Sequence, residues 1–252
     1  MNKTVGSLFV AVLCAGILGL GGGRIAQARL LGNPVTDTVK GGMDVGIGLS
    51  GVSKDYDVKT TVPQVCTLPP PFTVCSGGTV KASGTSSAGY TTIFLDYGIG
   101  GKGVLRGEVS QVSLGVASAT GTELGVNYRQ NFSTRTLSSG KVMTLGGLLG
   151  YESGSWSGDN FGASLSGSYT EYQVAFGGSV ALEKNLNVYA AGIFDNFAGT
   201  ISVSGFKIAT SSKNPLGAYG GADFSISPDF KIGGEYHLIF EQGWAVYGLF
   251  KF

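Results

Sequence analysis

The most regular feature of the sequence is an alternation of apolar residues with polar or small ones at a period of two. In the first such segment, Met43, Val45, Ile47 and Leu49 alternate with Asp44, two glycines and a serine. Successive side chains of a β-strand point to opposite faces, so this period predicts strands with one apolar face. About ten such segments follow one another, near residues 41–51, 89–99, 103–112, 122–132, 141–152, 169–182, 186–196, 215–226, 230–240 and 244–252.

The length and spacing of these segments predict the fold class. A segment of roughly ten residues is long enough for a tilted β-strand to cross a bilayer. Short and long connections alternate for most of the chain, as they do in membrane barrels whose two ends differ. The sequence therefore predicts an all-β fold, an antiparallel transmembrane up-and-down β-barrel of about ten strands, with eight as the alternative count. The 44 glycines disfavour helices, since each interior glycine costs a helix about 1 kcal/mol.

Short turns predict how neighbouring strands are aligned. The sequences EKN (183–185), SPD (227–229) and EQG (241–243) each fit a three-residue hairpin loop. Asn185 and Gly243 are placed where such a loop needs a positive φ, which both residue types tolerate. The predicted partners keep apolar residues on one face: Val180 with Val188, Phe176 with Gly192, Phe224 with Ile232, Gly220 with Tyr236, Leu238 with Val246, and Tyr236 with Gly248.

The last segment, EQGWAVYGLFKF, ends the chain on an aromatic residue. Trp244, Val246, Phe250 and Phe252 lie at alternate positions of its apolar face. This pattern resembles the C-terminal signature of bacterial outer-membrane β-barrels of the porin and surface-antigen-like class, from which Gly248 is a departure. The resemblance implies that these four residues are an assembly signal for the barrel assembly machinery. It also implies an outer-membrane location, contact with outer-membrane lipids, and pairing of the last strand with the first.

A soluble β-sandwich is the competing interpretation. Its outward faces would carry Lys, Glu and Thr, whereas here polar and small residues share the face that would line a closed barrel. Aromatic residues near the ends of the apolar face favour the membrane barrel, because they resemble the girdles found at membrane interfaces. These residues are Tyr97, Tyr128, Tyr151, Tyr172, Phe240, Trp244 and Phe252.

The N-terminal segment 1–28 has the pattern of a cleavable secretory signal peptide. Lys3 precedes an apolar stretch at 8–20, and the sequence Ala-Gln-Ala at 26–28 fits the cleavage site. The remaining residues, 29–252, are predicted to form a single outer-membrane barrel domain. Without the segment 1–28, 15 basic residues remain against 16 acidic ones. This balance leaves no electrostatic footprint for nucleic acid.

The longest predicted loop, 52–88, is expected at the extracellular side. It contains Cys66 and Cys75, and two cysteines this close in an exported chain predict a disulfide. The segment between them contains no His, Asp or Glu, so no metal site is expected there. No cofactor is expected anywhere in the chain.

His237 is the only histidine and therefore the obvious catalytic candidate. Glu235 shares its face, and the predicted alignments place Tyr219 and Tyr247 on either side of it. A Tyr–His–Tyr cluster that fills the barrel interior is the simpler interpretation. The patterns of known outer-membrane proteases, deacylases and phospholipases are not matched, since the second outer loop has no Asp and Ile239 stands where a serine would be needed. We therefore expect no enzymatic activity.

The inward-facing charges suggest a function for the barrel interior. Asp96 is predicted to face Arg106 across a short turn, and carboxylates are expected to concentrate towards the outer side, which favours cations. The first hypothesis is a porin-like barrel that passes small solutes or ions passively. The alternative is a closed structural or adhesive surface protein that acts through its loops. The predicted pore-lining residues are Asp44, Asp96, Arg106, Glu108, Glu123, Arg129, Glu171, Asp195, Tyr219, Lys231, Glu235, His237 and Tyr247.

Overall fold

The computed structural model of the chain describes residues 31–36, 40–66, 75–115, 119–160, 163–203, 206–238 and 241–252. The predicted signal peptide, 1–28, lies outside the described residues. The strands are β1 (Met43–Cys66), β2 (Cys75–Ile99), β3 (Gly103–Leu114), β4 (Thr120–Thr136), β5 (Val142–Asn160), β6 (Ala163–Glu183), β7 (Leu186–Val203), β8 (Phe206–Ser212), β9 (Leu216–Ser227), β10 (Phe230–Leu238) and β11 (Glu241–Lys251). No helix in the described part of the chain has the length and apolar character needed to cross a membrane.

Ten of these strands form a closed antiparallel ring in the order β1-β2-β3-β4-β5-β6-β7-β9-β10-β11. The ring closes between β11 and β1, from the pair Asp44 and Lys251 to the pair Lys54 and Glu241. The amide of Phe252 extends this pairing by donating to the carbonyl of Met43 at 2.9 Å. The predicted up-and-down barrel of ten strands is confirmed, and so is the pairing of the last strand with the first.

The two ends of the barrel differ. At one end, here called the short-turn end, the strands are joined by tight turns such as 100–102, 184–185 and 228–229. At the other end, the long-strand end, β1 and β2 run for 24 and 25 residues. The short strand β8 pairs with β7 and, from Tyr56 to Lys59, with β1. It therefore continues the wall above β9, β10 and β11, which are shorter.

Residues 52–88 are mostly strand rather than the loop that the sequence predicts. The ladder between β1 and β2 continues from Val52 opposite Ala88 to Cys66 opposite Cys75, with one irregularity after Val62. The outward positions of this part of β1, such as Asp55, are polar, so it lacks the apolar alternation that marks the lower strands. The side chains of Cys66 and Cys75 lie outside the described part of the structure, and the disulfide stays a prediction.

The outward face of the ring is apolar. Ile93, Leu124 and Leu216 are 60%, 61% and 65% exposed, and similar residues surround the barrel. An exposed apolar surface of this extent is rare on soluble proteins and typical of the lipid-facing band of a transmembrane barrel. Tyr151 and Tyr172 contact each other on this face with ring centroids 5.1 Å apart, as expected for an interfacial aromatic girdle. The soluble sandwich is therefore excluded.

Two of the three predicted alignments are confirmed. Across the SPD turn, Phe224 lies opposite Ile232, and across the EKN turn, Val180 lies opposite Val188. Both turns are short enough that their length fixes the partners of the flanking strands.

The alignment predicted from the EQG turn is wrong by four residues. Tyr236 lies opposite Trp244 instead of Gly248. This register stacks Phe230 on Phe250 with ring centroids 4.5 Å apart. The predicted register would place these two rings apart. Gly243 belongs to β11 and has no positive φ; the described glycines with positive φ are Gly32, Gly41, Gly100 and Gly140.

Candidate functional site: the barrel lumen

All thirteen residues predicted to line a pore point into the barrel. Twelve of them are buried, and Tyr247 is partly buried against the cluster of Phe94, Ala245 and Leu249. Their inward position does not by itself test whether they line a conducting passage, which stays a prediction. The twelve buried residues are Asp44, Asp96, Arg106, Glu108, Glu123, Arg129, Glu171, Asp195, Tyr219, Lys231, Glu235 and His237.

Residues 31–36 lie inside the lumen at the short-turn end, and we call this segment the plug. The amides of Leu31 and Gly32 donate to the two carboxylate oxygens of Glu235 at 2.6 and 2.7 Å. Arg129 Nη2 donates to the carbonyl of Leu31 at 2.5 Å. The hydroxyl of Tyr189 donates to Glu235 Oε2 at 3.2 Å. One carboxylate on β10 and one guanidinium on β4 therefore hold the inner end of the plug.

The rest of the plug is bound to other parts of the wall. Asn33 Nδ2 donates to Asp223 Oδ2 at 2.9 Å and to Ser179 Oγ at 3.3 Å. The amide of Thr36 donates to Asn131 Oδ1 at 3.0 Å, and Asn131 Nδ2 donates to the carbonyl of Thr36 at 2.7 Å. Side chains of β4, β6, β9 and β10 thus contact the plug from several sides of the ring.

The wall is shaped to fit the plug. Leu31 packs into a buried cluster that includes Leu148 and Tyr219. A Cβ on Gly146 would lie 2.8 Å from the carbonyl oxygen of Pro34, so only glycine leaves room there. Gly32 has a φ of 73°, a conformation that favours glycine. The plug is not predicted by the sequence, because the Asn-Pro pair at 33–34 signals a turn but nothing in the sequence places it inside the barrel.

A second polar group lies near the plug on the adjacent strands β2, β3 and β4. Arg106 donates from Nε and Nη2 to the two oxygens of Asp96 at 2.6 and 2.7 Å, so the predicted pair is confirmed. The guanidinium also lies 3.8 Å from the ring centroid of Phe94. That ring covers Gly46, where a Cβ would overlap it. Arg129 Nη1 is 4.0 Å from the same aspartate, which links this group to the plug.

His237 belongs to the group that holds the plug. Its ring stacks on Tyr219 with centroids 5.1 Å apart, and its Nε2 lies 3.2 Å from Glu235 Oε1. The predicted neighbour Tyr219 is therefore confirmed. The predicted neighbour Tyr247 is wrong, because the register shift of β11 places Tyr247 opposite Gly233 and its hydroxyl donates to Asp223. Within the described ranges, no group of three or more His, Cys, Asp or Glu residues is arranged to hold a metal ion.

The lumen at the long-strand end contains a cavity of about 110 Å³, which we call the vestibule. Apolar side chains, among them Val52 and Leu114, form much of its wall. Five aromatic residues share this wall: Tyr56, Tyr90, Trp156, Tyr169 and Phe197. Above the apolar band, burial within this wall raises the pKa of Tyr56 above its ordinary value.

The floor of the vestibule is charged. Lys54 Nζ donates to Glu171 Oε1 at 2.7 Å and to Asp195 Oδ2 at 3.2 Å. Glu152 lies directly opposite Glu171 in the ladder between β5 and β6, and Glu123 accepts a hydrogen bond from the hydroxyl of Tyr169. These four carboxylates lie nearer to the long-strand end than Arg106 and Arg129, as predicted from the sequence.

No protein-family model and no curated protein matches the sequence. Among solved structures, an outer-membrane channel from Pseudomonas putida F1 is similar, with 9% identity, 89% of this chain and 100% of that chain covered, and a TM-score of 0.38. The Ralstonia pickettii toluene transporter TbuX shares 11% identity, over 87% of this chain and 90% of that chain, with a TM-score of 0.21. A mutant of the Rh. blastica porin shares 11% identity, over 82% and 100%, with a TM-score of 0.17. These similarities concern the general class of outer-membrane β-barrels and carry no argument about activity.

Proposed function

We propose that the chain is an outer-membrane channel that passes small solutes or ions passively and is closed by its plug in the conformation described. One observation carries this proposal: the interior of the ring is larger than the volume that the side chains of its own wall fill. Eight-stranded barrels are just filled by side chains, whereas sixteen-stranded barrels enclose a water channel. In this ten-stranded ring, the interior holds residues 31–36 at one end and a cavity of about 110 Å³ at the other.

The way in which the plug is held favours a removable closure. Its described polar contacts with the wall are hydrogen bonds to side chains, such as Glu235 and Asn131, and it adds no strand to the sheet. Water can replace hydrogen bonds of this kind when a segment leaves a polar lumen, so the net cost per bond is about 0.5–1.5 kcal/mol, or more where the partner is charged. The ring itself would stay closed without the plug, because β11 pairs with β1.

The charges of the lumen favour cations in the proposed passage. Solutes that enter from the long-strand end meet Glu123, Glu152, Glu171 and Asp195 before they reach Arg106. Rings of carboxylates favour cations in channels. With short turns on the periplasmic side, the vestibule opens to the exterior. His237 then serves to support Glu235 and carries out no chemistry.

A cross-link tests the proposal. Asn33 Nδ2 and Ser179 Oγ are 3.3 Å apart, so Asn33→Cys combined with Ser179→Cys should fix the plug to β6 under oxidising conditions. We expect single-channel conductance of this variant to fall on oxidation and to return on reduction. The unmodified chain from Arg29 is the control, because its own Cys66 and Cys75 meet the same reagents. Conductance that is indifferent to the cross-link would contradict a closure by the plug.

The long β1–β2 hairpin supports a second candidate, a surface protein that acts through this hairpin. Its outward side chains beyond the apolar band, such as Asp55, Asp57 and Lys81, are polar and exposed. Replacement of residues 60–81 by a tight turn separates the two functions. A channel should conduct as before, whereas an adhesive protein should lose attachment of cells that display it.

A further inference from the structure

We propose that the vestibule is a binding site for small organic cations that carry a single aromatic ring. This inference rests on one part of the proposed function, namely that the vestibule is open to the exterior, and it does not depend on conduction. Its support comes from the orientation of the aromatic rings, from a lysine already held in the vestibule, from the balance of charge and from the size of the cavity.

Two aromatic rings of the vestibule lie flat against the barrel wall. A Cβ on Gly167 would overlap the indole of Trp156, and a Cβ on Gly154 would lie 2.7 Å from Cζ of Tyr169. The rings therefore cover the backbone of the neighbouring strand, and their opposite faces point into the lumen. The face of an aromatic ring carries partial negative charge, which attracts ammonium groups within about 6 Å.

An ammonium group of the protein itself already lies beside an aromatic ring of the vestibule. Lys54 Nζ lies 5.6 Å from the ring centroid of Phe197 while it pairs with Glu171 and Asp195. The ring of Phe197 in turn lies 5.4 Å from that of Tyr169. The vestibule thus stabilises a cation by carboxylates below it and an aromatic ring beside it, which are the two contacts that an organic ammonium ligand needs.

The charge balance at this level of the lumen excludes anions. Among the described inward-facing side chains at the long-strand end, four carboxylates accompany the single ammonium of Lys54. A cleft lined by charge of one sign concentrates ligands of the opposite sign. The carboxylates here are Glu123, Glu152, Glu171 and Asp195, and a ligand carboxylate placed among them would be repelled.

The size of the cavity limits the ligand to about one ring. The vestibule measures about 110 Å³, and an engineered cavity of roughly 150 Å³ is known to hold benzene. An open mouth leaves space for a short substituent beyond the ring. Benzylammonium, which joins one ring to one ammonium group, is therefore a suitable probe, with benzyl alcohol and benzoate as neutral and anionic partners of the same size.

Fluorescence of Trp156 provides the assay. The chain has two tryptophans, and Trp244 faces outward, so Trp244→Phe leaves Trp156 as the only reporter. We expect benzylammonium to change the emission of the refolded barrel in a saturable way, with a Kd at least about tenfold lower than those of benzyl alcohol and benzoate, equivalent to about 1.4 kcal/mol. Equal affinity for the three probes, preference for benzoate, or a failure to saturate would overturn the proposal.

Three variants assign the binding to the vestibule. Phe197→Leu and Glu171→Gln should each raise the Kd of benzylammonium several-fold, and Phe197→Leu remains informative if loss of the carboxylate prevents folding. Phe224→Leu, at an outward position of β9, is the matched control and should leave the Kd unchanged. Binding that ignores both vestibule variants would refute the site. A chain that conducts ions but binds no benzylammonium would refute this inference alone and leave the channel standing.

Discussion

The substitution Glu235→Gln tests how firmly the plug is held. The carboxylate of Glu235 accepts the amides of Leu31 and Gly32, one on each oxygen, at 2.6 and 2.7 Å. A glutamine side chain has one acceptor oxygen, so it can accept a hydrogen bond from only one of these two amides. Its own NH2 group is a donor and would face the other amide, which is also a donor. The change is nearly isosteric, so it alters the charge and the hydrogen bonds with little effect on packing.

The expected magnitude follows from the bond that is lost. A hydrogen bond to a charged group contributes about 1.5–3 kcal/mol, so the docked plug should be destabilised by this amount. The undocked fraction should rise roughly 10- to 150-fold. The assay is the open probability of single channels at fixed voltage in a planar bilayer, with Glu183→Gln, at an exposed position of β6, as the control. An open probability within about twofold of the parent, in a barrel shown to be folded by circular dichroism, would refute the role assigned to Glu235.

Two further predictions concern the wall and the hairpin. Gly46→Val should lower the free energy of unfolding in urea by about 1–3 kcal/mol, because the new side chain collides with Phe94. At Gly107, an added Cβ would meet no heavy atom within 4 Å beyond its chain neighbours, so Gly107→Val should change this free energy by less than about 0.5 kcal/mol. Equal effects of the two substitutions would contradict this packing. Cys66 and Cys75 lie directly opposite each other, where antiparallel Cα atoms are about 4.5–5.5 Å apart, within the span of a disulfide. The chain from Arg29 should therefore bind no thiol reagent when it is denatured without reductant, and two equivalents after reduction. Two reactive thiols before reduction would exclude the bond.

The fold could be predicted from the sequence where local rules decide it. Alternation at period two identified the strands that face lipid, and the SPD and EKN turns aligned their neighbours correctly because loop length leaves little choice. The EQG tripeptide misled because it belongs to β11 and is not a hairpin loop. The observed register instead brings together Phe230 and Phe250, which lie far from the connection between β10 and β11. Residues 52–66 and 75–88 were taken for a loop because the lipid-facing alternation ends there, although the backbone pairing continues.

The plug could not be predicted because each of its described hydrogen bonds to the wall is distant in sequence. Leu31 bonds to Glu235 across 204 residues, and Thr36 bonds to Asn131 across 95. The segment contains no charged residue and no strand pattern that would mark its partners. Alternation at period two predicts which charged side chains face the barrel interior, whereas their arrangement around the plug depends on how the ring closes.

The measurement that tests the plugged channel most directly is the single-channel conductance of two refolded chains, one beginning at Arg29 and one at Asp37, in a planar bilayer with a potassium chloride gradient. The shorter chain lacks the plug and keeps every strand of the ring. We predict discrete and more frequent openings for the shorter chain, with a reversal potential biased towards potassium. Two folded barrels that are equally silent, or that conduct equally well, would contradict closure of a channel by residues 31–36.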